Sequence, residues 1–217
     1  MHCSSAGAPR IYAAARDQAC LETLAHIDPR VRAIKLDVRS GPDARAAAEQ
    51  ARDVTLLINN AATLTFGGLT DVPLSDVRDN METNFFGTLN VINAFVPILE
   101  QQQGTIVNML TVVALASMPA LAAYNASKAA VLSLTQSFRA DLGKHGITVH
   151  GVFPGAVDTD MTRSIEMPKT PAIDVARGTL DGIEAGQEDI FPDPMSRQLY
   201  SAWREDHKAV ERQFATM

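Results

Sequence analysis

The 217-residue sequence predicts an α/β protein with a doubly wound, mostly parallel sheet and helices on both faces. Three observations predict it. Short apolar runs rich in branched residues recur along the chain, as expected of strands covered on both faces. Segments whose apolar residues follow helical spacing alternate with those runs. The least ordinary polar residues cluster at the carboxyl ends of the candidate strands, where sheets of this class bind ligands.

The strand candidates, in order, are RIYAAAR (10–16), RAIKLDV (32–38), VTLLINN (54–60), GTIVNML (104–110), ITVHGVF (147–153) and a weaker EDIF (188–191). A first helix is expected over 19–25 and a second over 43–52. A long helix is expected from Ser75, a candidate N-cap, burying Val77, Met81, Phe85, Leu89, Ile92 and Val96. The next carries Tyr124 and Lys128 and buries Val131, Leu134, Phe138 and Leu142. Thr170 is a candidate N-cap, with Pro171 in the first turn and Gly186 as the stop. Asp193 and Pro194 repeat that pattern ahead of a stretch with Leu199, Trp203, Val210 and Phe214 on one side.

With 46% apolar and 20% charged residues, the chain suits a single domain over 1–217. A formal net charge of −6 argues against a nucleic-acid partner, which needs a basic footprint. The two cysteines, Cys3 and Cys20, have neither metal-ligand nor disulfide-framework spacing, so a reducing, cytoplasmic setting is expected. The five histidines form no HExxH pattern, and no metal site is expected. The opening MHCSSAGAPR lacks the apolar core of a signal peptide. The apolar stretch over 105–123 is interrupted by Asn108 and Pro119 and reads as a buried strand and loop, not a membrane span.

Three features stand at strand ends. LINNAA (57–62) closes one strand with two amides, VNMLT (107–111) another with a hydroxyl, and VFPGAVDT (152–159) a third with a Pro-Gly turn. Tyr124 and Lys128 follow the second after a short loop, and their i, i+4 spacing puts phenol and amine on one helix face. By spacing alone, such a pair is most often an inert surface pair.

Taken together and in this order, these residues resemble the short-chain dehydrogenase/reductase family over roughly 10–192. Tyr124 and Lys128 match its Tyr-xxx-Lys pair; Asn59, Asn60, Ala61 and Ala62 stand where it has Asn-Asn-Ala-Gly; Asn84 matches its helix asparagine; Pro154, Gly155 and Thr159 match its Pro-Gly-xxx-Thr element. The resemblance implies a Rossmann-type sheet and an oxidoreductase that interconverts a carbonyl and a secondary alcohol with NADP(H), NAD being possible. It implies that Asn84, Thr111, Tyr124 and Lys128 are catalytic. Tyr124 would pass the proton, its phenol made more acidic by Lys128 and the nicotinamide ring. Lys128 would also hold the nicotinamide ribose, and Asn84 a relay water, unless Asn84 only secures backbone groups where the helix bends. Arg16, Asp37, Asn59, Ala61, Tyr124, Lys128, Pro154, Gly155 and Thr159 would bind cofactor. Arg16 would take a 2′-phosphate, the plainer alternative being a solvated charge beside Asp17. The substrate wall would include Leu115, Met118, Leu121 and the segment 161–170, and the long helix and the Tyr124 helix would pack in a homodimer or homotetramer.

The sequence departs from the family pattern twice. Thr111 stands where a serine is usual; its hydroxyl donates the same hydrogen bond, while its methyl narrows the cleft. The plainer role of Thr111 is that of a strand-former. The Gly-rich turn TGxxxGxG is missing, Gly7 being the only glycine before Gly41, and the chain runs directly into what resembles the family's second strand. The first strand, central by analogy, is therefore expected to be missing, leaving inner edges unpaired. Either a preceding segment completes an enzyme, or the chain is a non-catalytic remnant or partner subunit with an impaired dinucleotide site.

Overall fold

The computed structural model describes residues 7–26 and 28–216, with side chains except those of residues 18, 24 and 25. His2, Cys3 and residues 4–6 lie outside the described residues. The strands of the core form two parallel sheets, and two further strands form a short separate ladder. In the first, β1 (Ile11–Ala15) pairs with β2 (Val31–Lys35), Ile11 opposite Val31, and α1 (Gln18–Ala25) makes the crossover. The second has the order β3 (Leu56–Asn59), β4 (Thr105–Met109), β5 (Thr148–Val152), β8 (Asp189–Ile190). Parallel neighbours need long crossovers, and helices supply each of them.

The free edges of β1 and β3 come together at their starts, and among the described residues no strand pairs with either. Arg10, just before β1, forms an ion pair with Asp53 at 2.6 Å, and the Tyr12 hydroxyl donates to Asp53 at 2.8 Å, so the starts of the two edges are tied across the gap. The edges remain apolar and open: Ile11 is 40% exposed, Leu56 38% and Ile58 45%. This is a doubly wound, Rossmann-like parallel sheet, and the two open edges are the ones the sequence predicts. On one face both sheets rest on α2 (Gly41–Gln50) and α4 (Gly87–Gln102), where Ile34, Leu36, Ala44, Ala47, Val91, Phe95, Leu99 and Ile106 form one core.

The long helix differs from its expected form. It begins as α3 (Leu74–Asn80) after Pro73, passes through a π-helical turn at Met81–Phe86 and continues as α4. Ser75 is not the N-cap; it lies inside the first turn, and its hydroxyl donates to Asp76 at 3.1 Å. Pro73, locked near φ −57°, makes the turn into the helix without a side-chain cap. The fully buried face is Asn80, Asn84, Thr88, Val91, Ile92, Phe95 and Leu99, while Val77, Met81, Phe85, Leu89 and Val96 are half-buried on the flank. A π turn takes more residues than an α turn, so a stripe read at uniform 3.6 spacing drifts off the buried face.

Helix α5 (Ala122–Gly143) carries the Tyr–Lys pair; Val131 and Leu142 are buried and Leu134 and Phe138 half-buried. After β5 the chain forms a short ladder of β6 (Val157–Asp158) with β7 (Thr170–Pro171), then α6 (Ala172–Glu184). Thr170 is thus not an N-cap: its N–H donates to the Ala156 carbonyl at 2.8 Å in that ladder, and Pro171 occupies the cap position. Gly186 ends the helix at φ +68°, a conformation that glycine adopts without a Cβ penalty. Asp193 caps α7 (Pro194–Glu205), accepting from the Ser196 N–H at 2.9 Å. The final amphipathic run is two helices: Asp206 interrupts it and caps α8 (His207–Phe214) by accepting from the Ala209 N–H at 2.9 Å. Val210 and Phe214 are buried beside Tyr124, Phe153 and Leu121, with Leu199 and Trp203 packed on the same cluster.

Candidate active site

The strand ends of the second sheet open into a cavity of about 870 Å³, closed by α6, α7 and α8. Period-2 alternation decides which residues of the β3 exit reach it: Ile58, Asn60 and Ala62 line the cavity. Asn59, expected to bind cofactor, instead donates through Nδ2 to Asn108 Oδ1 at 2.8 Å, and Asn108 donates to Thr135 on α5 at 3.0 Å. That chain ties β3, β4 and α5 together beneath the site. Ala61 likewise lies outside the lining.

Tyr124, Lys128 and Thr111 all line the cavity and are nearly fully buried. Tyr124 and Lys128 share a face at the start of α5, with the ammonium 5.7 Å from the centre of the phenol ring. Lys128 Nζ donates to the Met109 carbonyl at the end of β4, at 2.6 Å. Burial pushes the Tyr124 phenol up to about 12 and the Lys128 ammonium down to about 8. The expected acidification of the phenol by its lysine is therefore not what this state shows. Desolvation disfavours phenolate and ammonium alike, and it outweighs their mutual attraction here. Thr111 leaves β4 in extended geometry, and its hydroxyl accepts weakly from the Val113 N–H at 3.4 Å, opening the short 3₁₀ turn Val112–Ala114.

Asn84 lies in the π turn, 1% exposed. Its Oδ1 accepts from the Thr63 N–H at 2.8 Å, and its Nδ2 donates to the Thr63 carbonyl at 2.9 Å and to Ser127 Oγ at 2.8 Å. Ser127 Oγ in turn donates to the Tyr124 carbonyl at 2.7 Å. The side chain thus fastens the loop after β3 to the first turn of α5, the securing role weighed above against a relay water.

Pro154, Gly155 and Thr159 line the cavity from the β5 exit. The turn is held from both sides: the Val112 N–H donates to the Pro154 carbonyl at 3.1 Å, and the Gly155 N–H to the buried Asp193 carboxylate at 3.0 Å. A Cβ on Gly155 would meet Met195 Sδ at 2.8 Å and Met195 Cβ at 3.1 Å, so any larger residue there would have to displace that side chain. Arg16 and Asp37 stand apart from this group, at the carboxyl ends of β1 and β2. Arg16 is exposed; Asp37 pairs with Arg39 at 3.0 Å, and its carboxyl is held below its usual range by Arg39 first and by Arg16 last.

The donor set at the β3–β5 ends, neutral amides and hydroxyls around one ammonium, fits the nicotinamide–ribose half of a dinucleotide, away from its phosphates. Arg16 and Asp37 fit the adenosine half. Between them, at the β1–β3 gap, no described strand or helix N-terminus presents backbone amides to a pyrophosphate. Sequence reasoning missed the contribution of the carboxyl-terminal helices: Met195, Gln198 and Leu199 from α7, and Gln213 and Phe214 from α8, all line the cavity. Their amphipathic spacing was legible; which cavity they would close was not. Leu115, expected in the substrate wall, packs on the neighbouring core, while Met118, Leu121, Met161, Ile165 and Met167 do line the cavity. Among the described residues, no group of His, Cys, Asp and Glu side chains is arranged to hold a metal ion.

Fold and site define a Rossmann-type α/β protein with a tyrosine–lysine pair at the ligand-binding edge of its sheet. The chain belongs to the short chain dehydrogenase family, whose profile matches residues 2–170. Human 17-beta-hydroxysteroid dehydrogenase type 2 is 30% identical over 193 residues, covering 86% of this chain and 46% of that protein. Two bacterial crystal structures superpose closely. A short chain dehydrogenase from Burkholderia cenocepacia, in complex with NADP, is 33% identical with a TM-score of 0.90, covering 96% of this chain and 87% of that one. A short chain dehydrogenase/reductase from Burkholderia phymatum, in complex with NAD, is 25% identical with a TM-score of 0.81, covering 94% and 86%. The chain spans about half the length of the curated relatives it matches most strongly.

Proposed function

We propose that the protein is an oxidoreductase that interconverts a carbonyl and a secondary alcohol, with NADP(H) preferred over NAD(H). The observation that carries this reading is the convergence of Tyr124, Lys128 and Thr111, from α5 and the β4 exit, on one apolar cavity. In reduction, Thr111 and Tyr124 hydrogen-bond the substrate oxygen, and Tyr124 gives that oxygen its proton as the carbonyl carbon becomes a C–H centre. A phenol near 12 is fully protonated at neutral pH and suits the role of acid. When bound, a nicotinamide supplies the hydride of that reduction and takes it up in the reverse reaction. Lys128 orients the nicotinamide ribose, and its positive charge opposes the negative charge left on Tyr124 after proton transfer. Asn84 keeps α5 and the β3 loop in register around the pair. Pro154, Gly155 and Thr159 border the nicotinamide, and the backbone of Asn59 and Ala61 passes near the adenosine ribose. Exposed Arg16 is the residue suited to a 2′-phosphate, which supports NADP(H), with Asp37 near the adenine.

The protein is taken to work as a single domain and a homo-oligomer in the cytoplasm. Leu74 at 62% and Phe86 at 43% exposure leave apolar surface on the long helix that a second copy would cover. Exposed Cys20 suits a reducing setting, and no helix of the described residues is long and apolar enough to cross a membrane.

A second reading is favoured by the open β1–β3 gap: a non-catalytic partner subunit that binds dinucleotide weakly or not at all. Titration of the purified 217-residue chain with NADPH decides between them. Micromolar binding with carbonyl-dependent loss of NADPH absorbance supports the enzyme, and no binding up to millimolar NADPH assigns this chain to the second reading.

A further inference from the structure

The chemistry of the cavity wall narrows the substrate class, an inference that rests on the oxidoreductase reading. Among the described lining residues, Lys128 alone carries charge at neutral pH, and its ammonium is already committed to the Met109 carbonyl. The lining holds no carboxylate, arginine or histidine. A substrate carboxylate or phosphate would lose its hydration there without a partner, which is among the costliest exchanges available to a ligand. A sugar-like polyol meets too few donors and acceptors. Apolar matter is accommodated instead, for five of the chain's eight methionines, Met109, Met118, Met161, Met167 and Met195, face the cavity. Unbranched thioether side chains adapt to irregular apolar shapes.

The helices α7 and α8 add one specific element. Of the residues they contribute to the lining, only Gln198 and Gln213 are polar; both are exposed where the cavity meets solvent, and among the described hydrogen bonds neither side-chain amide is tied to another protein group. Both come from outside the Tyr124 machinery. An amide offers donors and an acceptor, so it pairs with a hydroxyl or a carbonyl and does nothing to neutralise a charge. We infer that the substrate is a bulky, uncharged, largely apolar ketone or secondary alcohol carrying a second neutral hydrogen-bonding group, which Gln198 and Gln213 bind.

Calorimetric titration of the 217-residue protein, with and without saturating NADP, tests this with three eleven-carbon methyl ketones whose far end is a hydroxyl, a methyl or a carboxylate. The hydroxyl compound should bind about fivefold more tightly than the methyl compound, one neutral hydrogen bond's worth. It should bind at least about tenfold more tightly than the carboxylate. In the double variant Gln198→Leu/Gln213→Leu, checked for native circular dichroism, the hydroxyl advantage should fall to one or below. Equal or tighter carboxylate binding, an unchanged hydroxyl advantage in the variant, or no binding by any of the three overturns the inference. The reading it rests on fails separately: ketones that bind in the expected order but never consume NADPH leave the substrate class standing and remove the oxidoreductase.

Discussion

The two sheets make an instructive pair. In the larger, the middle strands are sealed on both faces: Ile106 and Val107 on β4 and Val149 and Val152 on β5 are at most 1% exposed. In the smaller, β1 has no fully buried residue, and its free edge comes together with the equally free edge of β3 at their starts. Chemistry follows the same division. Tyr124, Lys128 and Thr111 hang on the sealed sheet and are held by Asn84, Ser127 and the Met109 carbonyl, whereas Arg16 and Asp37 hang on the open one. On the proposed reading, the proton-transfer residues and the nicotinamide contacts share the sealed sheet while the adenosine contacts hang on the open one, so the two ends of one cofactor would rest on separable parts of the fold.

The largest expected effect tests the sealed side. Tyr124→Phe should lower the rate of carbonyl reduction by about a thousandfold or more while NADPH affinity changes little, because only the proton donor is removed. Comparable turnover with phenylalanine, measured by NADPH absorbance, would dissolve the assignment of chemistry to that half.

Stability should divide the same way. Ile106→Ala, at a fully buried position, should cost about 2–5 kcal/mol in urea unfolding, as cavity-forming core truncations do. Ile11→Ala, on the open edge, should cost about 1–2 kcal/mol, since that side chain stays 40% exposed on folding. Similar losses at the two sites would mean that something covers the open edge in solution.

The third prediction uses pH. Lys128 drops from 10.5 unfolded to about 8 folded, so the cost of burying its charge is present below about pH 8 and is relieved as pH rises toward 10.5. Across that window the unfolded chain binds the extra proton, and stability rises with pH. Tyr124 acts oppositely and later: between pH 10 and about 12 the unfolded phenol ionises first, and stability falls. Thermal melts from pH 7 to 10 should show wild type gaining on Lys128→Met by up to about 3 kcal/mol, an upper bound from the size of the shift. Parallel pH curves would show that the ammonium is hydrated in solution.

Smaller effects lie at the joints. Asp193→Ala removes the cap of α7 and the anchor of the Gly155 N–H, and should cost about 1–2 kcal/mol, with faster amide exchange at Gly155. Asp53→Asn at the exposed tie across the gap should barely move the melting temperature, since solvated ion pairs add little. A large loss there would mean that the tie, rather than the shared core on α2 and α4, holds the two sheets together.

Most of the fold was legible because strands and helices of this class announce themselves by period. The strand candidates 10–16, 104–110 and 147–153 each enclose an observed strand, and the unpaired β1 and β3 edges follow from the missing turn and strand. What the sequence concealed was local competition. Ser75 has the chemistry of a cap, but Pro73 already sets the backbone. Thr170 has it too, but its N–H is used by β6. The stripe from Val77 to Val96 was read at one period, whereas the helix changes period at Met81. Within the site, the residues on α5 and after β4 and β5 were found from their types, while the facing direction at Asn59 and Asn60 depended on strand register. Gln198 and Gln213 gave no sign of themselves, because an exposed glutamine on an amphipathic helix looks the same whether it borders solvent or a cavity.

The π turn at Met81–Phe86 carries a last consequence. It works as a rotary offset that absorbs a single surplus residue: a one-residue deletion there would let α3 and α4 fuse into one continuous α-helix with the faces on either side nearly in register, whereas the same deletion inside α4 would turn its flanking faces by about 100° relative to one another. What the deletion within the turn would remove is the bulge that carries Asn84, and with it the tie between Thr63 and Ser127. Length at this point is therefore constrained as tightly as residue type, and a chain differing by one residue here would have to rebuild the junction rather than mend a side chain.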